Sequence, residues 1–196
     1  MAREDEVMIE GAKIIWRNFE GREGMYNAKG DRNFAVVLDD ETAKQLERTG
    51  WNVKRKPPRE EGEEELIVLS VAVSYKGWPP RIVLIGRKFD HRLQEERLIR
   101  TPLDEELCGL VDSVEFDNVD IILNPYDWKL KSGQSGRKAY LKTFFGLVHQ
   151  DPLEAKYAHI PEEEQFALTA GDDPDILDGD VVDEYEEYDE QRAIEG

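Results

Sequence analysis

Residues 137–148 read Arg-Lys-Ala-Tyr-Leu-Lys-Thr-Phe-Phe-Gly-Leu-Val and are the most informative stretch of the chain. Successive side chains of a β-strand point to opposite faces, so a strand over these residues has two different faces. One face carries Lys138, Tyr140, Lys142 and Phe144. The other face carries Ala139, Leu141, Thr143, Phe145 and Leu147, which is the composition of a face that packs on a core. We therefore predict a strand that is buried on one side only.

Further short strands are predicted along the first 150 residues. The run 66–75 is the clearest, because its odd positions are all apolar: Ile67, Leu69, Val71, Val73 and Tyr75. Runs rich in β-branched and aromatic residues predict the other strands, over 12–19, 34–38, 81–88, 119–124 and 126–131. Pro125 is expected to end the strand before it. The Ser- and Gly-rich residues 132–136 predict a hairpin loop, and the Gly- and Asn-rich residues 21–33 a longer loop.

Helical signals are fewer. Asp39 or Asp40 can cap the N-terminus of a helix over 41–48, and Gly50 stands where a C-terminal glycine is expected. Residues 89–114 also show a helical and charged pattern, in which leucines recur at spacings of four and three.

The charged residues 54–65 predict a solvated loop, because Pro57, Pro58 and Gly62 interrupt them. Six or seven short strands with one or two short helices indicate a mainly-β chain, built as a small and partly open barrel.

Charge divides the chain into two parts. The 196 residues carry a formal net charge of -18, but the last 46 residues hold 17 of the 44 acidic side chains and only two basic ones. The preceding 150 residues are close to neutral. We predict a folded domain over 1–150 and an acidic, largely disordered tail over 151–196, because blocks of like charge repel one another and serve as interaction tails.

Several classes of protein do not fit the sequence. Cys108 is the only cysteine, so neither an intramolecular disulfide nor a cysteine-only zinc site can form. The longest apolar run, 66–73, is much shorter than the roughly 20 residues of a membrane-spanning helix. The acidic N-terminus has no secretory signal. A cytoplasmic protein without membrane contact is expected.

The alternating face of residues 137–148 indicates a single-stranded nucleic acid as the partner. Ammonium groups neutralise phosphates, and aromatic rings stack on unpaired bases of any sequence. The alternative is an ordinary outer sheet face, on which lysine stems cover a tyrosine and a phenylalanine. Basic and aromatic residues elsewhere can extend the surface. The candidate DNA-binding residues are Lys13, Arg17, Phe19, Tyr26, Lys54, Arg55, Lys56, Arg87, Lys88, Lys129, Lys131, Lys138, Tyr140, Lys142 and Phe144.

Catalytic signals are weak. The three histidines are scattered, and no phosphate-binding loop or nucleophile elbow is present. Asp117, Asp120 and Asp127 could form the carboxylate cluster of a metal-dependent nuclease, which is one alternative. The leading interpretation is a protein that is not an enzyme and holds no metal or cofactor.

Two segments resemble the phage single-stranded DNA-binding proteins of OB fold. The first is Asn124-Pro125-Tyr126-Asp127-Trp128, which is followed by the hairpin loop and then by the strand that begins at Arg137. The second runs from Asn18-Phe19 to the segment 33–38, Asn-Phe-Ala-Val-Val-Leu. The resemblance implies an OB-fold-like five-stranded barrel with extra strands, which binds single-stranded DNA without sequence preference during phage replication or recombination in the bacterial cytoplasm.

The same resemblance implies that the acidic tail recruits replication or recombination proteins and competes with DNA for the basic groove. The tail residues expected to do so are Asp172, Asp173, Asp175, Asp183, Glu184, Tyr185, Glu186, Glu187 and Tyr188. The chain ends in Ile194-Glu195-Gly196, whereas many such tails end in an aromatic residue. A homodimer is compatible with this interpretation. The alternative function is an acidic adaptor or DNA-mimic inhibitor, whose carboxylates imitate phosphates.

Overall fold

The computed structural model describes residues 6–58, 62 and 64–160. Strands dominate this part of the chain: β1 (Val7–Ile9), β2 (Lys13–Asn18), β3 (Arg32–Val37), β4 (Val53–Lys56), β5 (Leu66–Val73), β6 (Arg81–Asp90), β7 (Glu95–Leu103), β8 (Phe116–Lys129) and β9 (Ser135–Val148). The helices are α1 (Asp40–Arg48), a 3-10 helix (Cys108–Asp112) and α2 (Pro152–Tyr157).

The order of the strands gives the predicted OB-like barrel. Neighbouring strands follow the order β1-β8-β9-β5-β3-β2. Because β1 and β2 are consecutive segments, one paired with β8 and the other with β3, the order returns to its start. The Ala12 amide donates to the Val119 carbonyl at 2.7 Å and joins the start of β2 to β8. Within this ring β5 and β9 are parallel and the other pairs antiparallel. The mainly-β, OB-like prediction is confirmed.

The barrel interior is apolar because the strands alternate as predicted. Ile67, Leu69, Val71 and Val73 of β5 are all buried. A cluster of phenylalanine rings fills the centre, with Phe19 stacked on Phe34 at 5.1 Å between ring centroids and edge-on to Phe144 at 5.7 Å. Burial of each such ring contributes about 1.5–3 kcal/mol.

A β-bulge divides β9 into two halves. Ile122 of β8 lies opposite Thr143, but the next residue, Leu123, lies opposite Leu141, so Lys142 is an extra residue in β9. Before the bulge β9 pairs with β5, and after it with β6. The extra residue reverses the alternation, and Phe144 therefore points into the core. Its assignment to the DNA-binding face is wrong.

Gly146 shows how closely the rings pack behind the bulge. A Cβ atom at this position would lie 2.4 Å from the Phe116 ring and 2.9 Å from the Phe144 ring. Only glycine leaves room for both rings at this point of β9.

The helix predicted over 41–48 is confirmed as α1. Asp39 is its N-cap, with a carboxylate that accepts a hydrogen bond from the Thr42 amide at 2.8 Å. This hydrogen bond and that of the Thr42 hydroxyl hold the pKa of Asp39 below its usual value. The loop predicted over 54–65 is wrong in its first part, since β4 pairs with β5.

The helical pattern predicted over 89–114 is replaced by a β-hairpin of β6 and β7, followed by the short 3-10 helix. Leu107 and Leu110 remain exposed, so the three leucines do not form the buried stripe that a packed helix would need. Pairing with β6 stabilises the segment instead, from Ile82 opposite Leu103 to Asp90 opposite Glu95.

Strand β8 continues through Pro125, where the sequence predicted an end. Pro125 lies opposite Ala139 of β9, whereas β1 pairs with β8 only along Ile121–Leu123. Within the described residues, the other side of β8 has no strand partner at Pro125, so the missing amide donor breaks no ladder there.

The predicted tail lies mostly outside the described residues. Of residues 151–160, six form α2, and the boundary at residue 150 stays a prediction. All nine predicted tail residues, from Asp172 to Tyr188, fall in the part of the chain that is not described. None of the helices in the described ranges has the length and apolarity to cross a membrane.

Candidate nucleic-acid interface

The outer face of β5 forms the floor of a groove. Three small residues line it, Ser70 and Ala72 of β5 and Ser74 directly after the strand, and none of them is buried. Ala72 lies opposite Asn33 of β3 on one side and opposite Tyr140 of β9 on the other. Together with the 19–31 loop, the start of β4 and the β8–β9 hairpin, this floor borders a cleft of about 790 Å³, which we call the outer groove.

Aromatic side chains border the outer groove. Tyr26 projects from the 19–31 loop and is 92% exposed. Tyr140 meets Tyr126 edge-to-face at 5.7 Å between centroids, which fixes the orientation of both rings. Trp128 lies flat across Gly136, where a Cβ atom would come within 2.7 Å of its ring. Tyr126, Tyr140 and Trp128 thus contact neighbouring residues, whereas Tyr26 projects into solvent.

A second cleft of about 980 Å³ shares Ser74, Lys76 and Tyr140 with the outer groove and continues it. Trp78 and Arg81 line this extension, and the Trp78 ring is 91% exposed. A strand of several nucleotides could therefore follow one continuous surface past several rings.

Three lysines of the groove form no ion pair within the described residues. Lys54, Lys76 and Lys138 line the cleft, and none of them forms an ion pair with a carboxylate of the described residues. The Lys138 ammonium lies 5.3 Å from the centroid of the Tyr140 ring. A cation and a ring are thus adjacent, as backbone neutralisation combined with base stacking requires.

Three other cations of this surface have carboxylate partners, and one of them is Arg32, which pairs with Glu105 at 2.9 Å. The Arg137 guanidinium donates to both oxygens of Asp127, at 2.7 and 2.9 Å, and holds the pKa of Asp127 below its usual value. Lys142 donates to both oxygens of Glu6 at 2.7 Å, and the Glu6 side chain is only 6% exposed. Lys142 therefore lines the extension of the groove with its charge largely compensated.

Two predicted DNA-binding residues lie in the core, and a third, Arg17, holds two elements of the fold together. Phe19 and Phe144 are fully buried and cannot reach a base, so both predictions are wrong. Arg17 donates from Nη1 to the carbonyl oxygens of Val111 and Val114, at 2.9 and 2.5 Å, and so ties β2 to the end of the 3-10 helix.

Two predicted arginines are engaged by acidic side chains away from the groove. Arg55 contacts the carboxylates of Asp40, Glu47 and Glu65, which raise its pKa further above neutrality. Arg87 pairs with Asp117 at 3.0 Å. Because each guanidinium already pairs with a carboxylate, neither presents an unpaired cation to a phosphate.

The remaining predicted lysines lie outside both clefts. They are Lys13, Lys56, Lys88, Lys129 and Lys131. Lys56 places its ammonium 4.1 Å above the ring of Trp16, which is half exposed rather than in the core. Their contact with DNA stays a prediction. Tyr26, Lys54, Lys138, Tyr140 and Lys142 are the predicted residues that the fold brings together.

Sequence reasoning missed part of the surface. Lys76, Trp78 and Arg81 line the extension, yet none of them is among the candidate DNA-binding residues. A tryptophan between Gly77 and Pro79, where a turn exposes its side chains, was the available signal.

The three aspartates of the nuclease alternative do not converge. Asp117 contacts Arg87 and His149, Asp120 accepts from the Gly11 amide, and Asp127 contacts Arg137. Along β8, Asp117 and Asp127 are about 30 Å apart, from the rise of an extended strand. No group of three potential metal ligands occurs in the described ranges.

Comparison with known families places this chain. A family model described as "Putative phage ssDNA-binding domain" matches residues 1–190. The chain belongs to this family. Membership in the phage ssDNA-binding domain family agrees with a surface that offers rings and cations over a shallow floor. None of the curated proteins matches the sequence.

Comparison with solved structures finds matches of low sequence identity. The single-stranded DNA-binding protein from bacteriophage Enc34 in complex with ssDNA is 11% identical, with a TM-score of 0.48 over 76% of this chain and 90% of that one. Another structure of the single-stranded DNA-binding protein from bacteriophage Enc34 is 10% identical, with a TM-score of 0.46 over 83% of this chain and 88% of that one. The gp2.5 single-stranded DNA-binding protein of bacteriophage T7 is 7% identical, with a TM-score of 0.31 over 82% of this chain and 97% of that one.

Proposed function

We propose that the chain binds single-stranded DNA in the outer groove without sequence preference, and acts in phage DNA replication or recombination in the host cytoplasm. The acidic tail predicted over 151–196 recruits protein partners and competes with DNA for the groove. The observation that carries the proposal is the arrangement of rings and uncompensated lysines around a floor of small side chains.

The floor of the groove is suited to a backbone that approaches closely. Ser70, Ala72 and Ser74 leave the middle of the groove low, while Tyr26 and Tyr140 rise at its borders. Bases can stack on these rings, and phosphates can contact Lys54 and Lys138. Stacking and point charges read no base edge, so little dependence on sequence is expected.

The DNA-mimic alternative has less support from the described residues. A mimic needs carboxylates fixed on a surface and free to meet a partner's cations. Here Asp40, Asp117 and Asp127 each contact an arginine of the same chain. The excess negative charge of the sequence lies after residue 150.

The test is a fluorescence anisotropy titration of the full chain with labelled oligo-dT at several salt concentrations. The double variant Lys54→Ala with Lys138→Ala should bind more weakly, and the slope of log affinity against log salt should fall in magnitude by about 1.4, or ~0.7 for each lost phosphate contact. Lys156→Ala is the matched control, because Lys156 is exposed on α2 outside both clefts and is not among the candidate DNA-binding residues. An unchanged slope in the double variant would place the site elsewhere.

Competition by the acidic segment has its own test. Deletion of the residues from about Gly171 onward should tighten binding to oligo-dT at low salt, because it removes fixed negative charge that repels DNA. The gain should vanish at high salt. Equal affinities of the full and shortened chains at low ionic strength would show that no competition occurs.

A further inference from the structure

Strand β7 is an exposed sheet edge. In the described part of the chain it pairs with β6 alone, and residues 95–102 are all exposed. Leu98 is 65% and Ile99 43% exposed, in a strand of nine residues. A long edge with unpaired amides and carbonyls and exposed apolar side chains is a template for pairing with another strand.

Pro102 indicates which backbone groups of β7 point outward. Proline has no amide proton, so it is tolerated where that group would face away from the partner strand. Pro102 lies opposite Val83 of β6. Because backbone groups alternate in direction along a strand, the other even residues, Glu96, Leu98 and Arg100, also direct their amides and carbonyls outward.

The side chains of these three residues are self-complementary. Glu96, Leu98 and Arg100 share one face of β7, with an acid on one side of Leu98 and a base on the other. Neither Glu96 nor Arg100 forms an ion pair within the described residues, whereas Arg97 pairs with Asp90 and Glu95. A second β7, laid antiparallel with Leu98 opposite Leu98, would place each Glu96 opposite an Arg100.

We propose that β7 is a homodimer interface, in which the β7 strands of two copies of this chain pair antiparallel about a two-fold axis at Leu98. The backbone restricts the register, because outward-facing residues must lie opposite one another. The two nearest registers that keep this rule are centred on Arg97 and on Ile99. The first places Arg97 opposite Arg97, and the second places Glu96 opposite Pro102. The register centred on Leu98 alone gives two opposite-charge pairs.

The interface closes at two copies and is small. A two-fold contact uses the same surface on both chains and leaves no site for a third. One strand pair lies at the low end of interface sizes, so the dissociation constant should be about 10 μM to 1 mM. The proposal does not rest on DNA binding, and its tests are done without DNA.

Cysteine cross-linking tests the register. Leu98→Cys should form a disulfide-linked dimer under mild oxidation, because directly opposed residues in a hydrogen-bonded pair are ~5.5 Å apart at Cα. Ile99→Cys is the matched control, since its counterpart would be diagonal at about 7–8 Å and too distant to bridge. The native Cys108 is buried. Equal cross-linking of the two variants, or none in Leu98→Cys, would refute the register.

A charge exchange tests the pairing independently. Glu96→Arg sets two cations opposite each other at both ends of the interface, and sedimentation velocity should show dimerisation weakened about tenfold. Arg100→Glu should have the same effect, and the double variant Glu96→Arg with Arg100→Glu should restore the original dissociation constant. A chain that stays monomeric at about 1 mM, or a double variant as weak as the single ones, would overturn the proposal. Affinity for short oligo-dT reports separately on the groove.

Discussion

The two halves of β9 border different strands and have different roles. Before the bulge at Lys142, the strand borders β5 and presents Lys138 and Tyr140 to the outer groove. After it, the strand borders β6 and sends Phe144 into the core. A single extra residue therefore moves Phe144, the fourth aromatic or cationic position of the predicted face, into the core.

The comparison shows how far a sequence pattern extends. Alternation of side chains predicts which residues share a face only while the ladder is regular. At a bulge two residues of one strand oppose one residue of the partner, and the pattern shifts by one. Each half can be tested separately, because one half should determine stability and the other DNA affinity.

The largest effect is expected in the second half. Phe144→Ala should lower the free energy of unfolding by about 3–5 kcal/mol, since it empties a fully buried site that contacts Phe19 and Phe116. Urea unfolding followed by circular dichroism measures the loss. Leu130→Ala, at an exposed apolar residue of the hairpin, serves as control. A loss as small as that of the control would show that Phe144 is not a core residue.

In the first half, Tyr140→Ala should affect binding rather than stability. Loss of one stacking platform should cost about 1–3 kcal/mol of affinity for oligo-dT. Tyr140→Phe keeps the ring and should bind nearly as the parent does. Anisotropy titrations of both variants, with urea unfolding in parallel, separate the two effects. If the Phe and Ala variants lose the same affinity, the ring does not stack on a base.

Lys138 and Lys142 form a sharper comparison, because only Lys142 has a described carboxylate partner, Glu6. Lys138→Ala should reduce the salt slope of binding by ~0.7. Lys142→Ala should reduce it less, because the Glu6 carboxylate already compensates that charge. In a Glu6→Gln background, Lys142→Ala should then reduce the salt slope by as much as Lys138→Ala does in the parent chain. The measurement is oligo-dT affinity at four or more salt concentrations, and equal slopes for the two lysine variants would contradict the argument.

The smallest effect is expected at the end of β9, where His149 Nδ1 lies 2.6 Å from a carboxylate oxygen of Asp117. This hydrogen bond raises the pKa of His149 above its ordinary 6.5, and with Arg87 it holds the pKa of Asp117 below 3.8. The stabilisation that comes from protonated His149 is fully present below pH 6.5 and is lost as the pH rises through its raised pKa. The stabilisation that comes from ionised Asp117 is lost as the pH falls below 3.8 and through its lowered pKa.

The stability difference between the parent and His149→Gln should therefore be larger at about pH 5.5 than at about pH 8.5. Thermal unfolding at the two pH values measures it, with Lys88→Ala as a variant whose difference should not change. A difference that grows with pH would show that the ion pair is not formed. Affinity for DNA should not follow this change, because His149 lies outside both clefts.

Much of the fold could be predicted from local patterns. The odd positions of β5 and the Asp39 cap of α1 needed only alternation and capping rules. Strand β6 was predicted over 81–88, but β7 was not, because residues 95–102 are all exposed and offer no pattern of alternating burial. The continuation of β8 through Pro125 depended on where β1 ends, which a local pattern does not contain.

The sequence predicted the kind of site, but it identified only some of the residues that form it. Aromatic and cationic alternation pointed to Tyr140 and Lys138, and loop composition left Tyr26 exposed. Charge alone could not distinguish Lys138 from Arg55 or Arg87, because their partners come from other elements. Residue type also did not show that Phe19 lies in the core and Trp78 on the surface.

The sequence by itself determined the mainly-β class, the family resemblance and the uneven charge, because alternation, short motifs and composition are properties of contiguous residues. Tertiary structure decided which cations are compensated, which rings are buried and which strand edge stays open. Those outcomes depend on residues that folding brings together from distant positions, as with Glu6 and Lys142, 136 positions apart. A bulge then sets the face on which each residue lies.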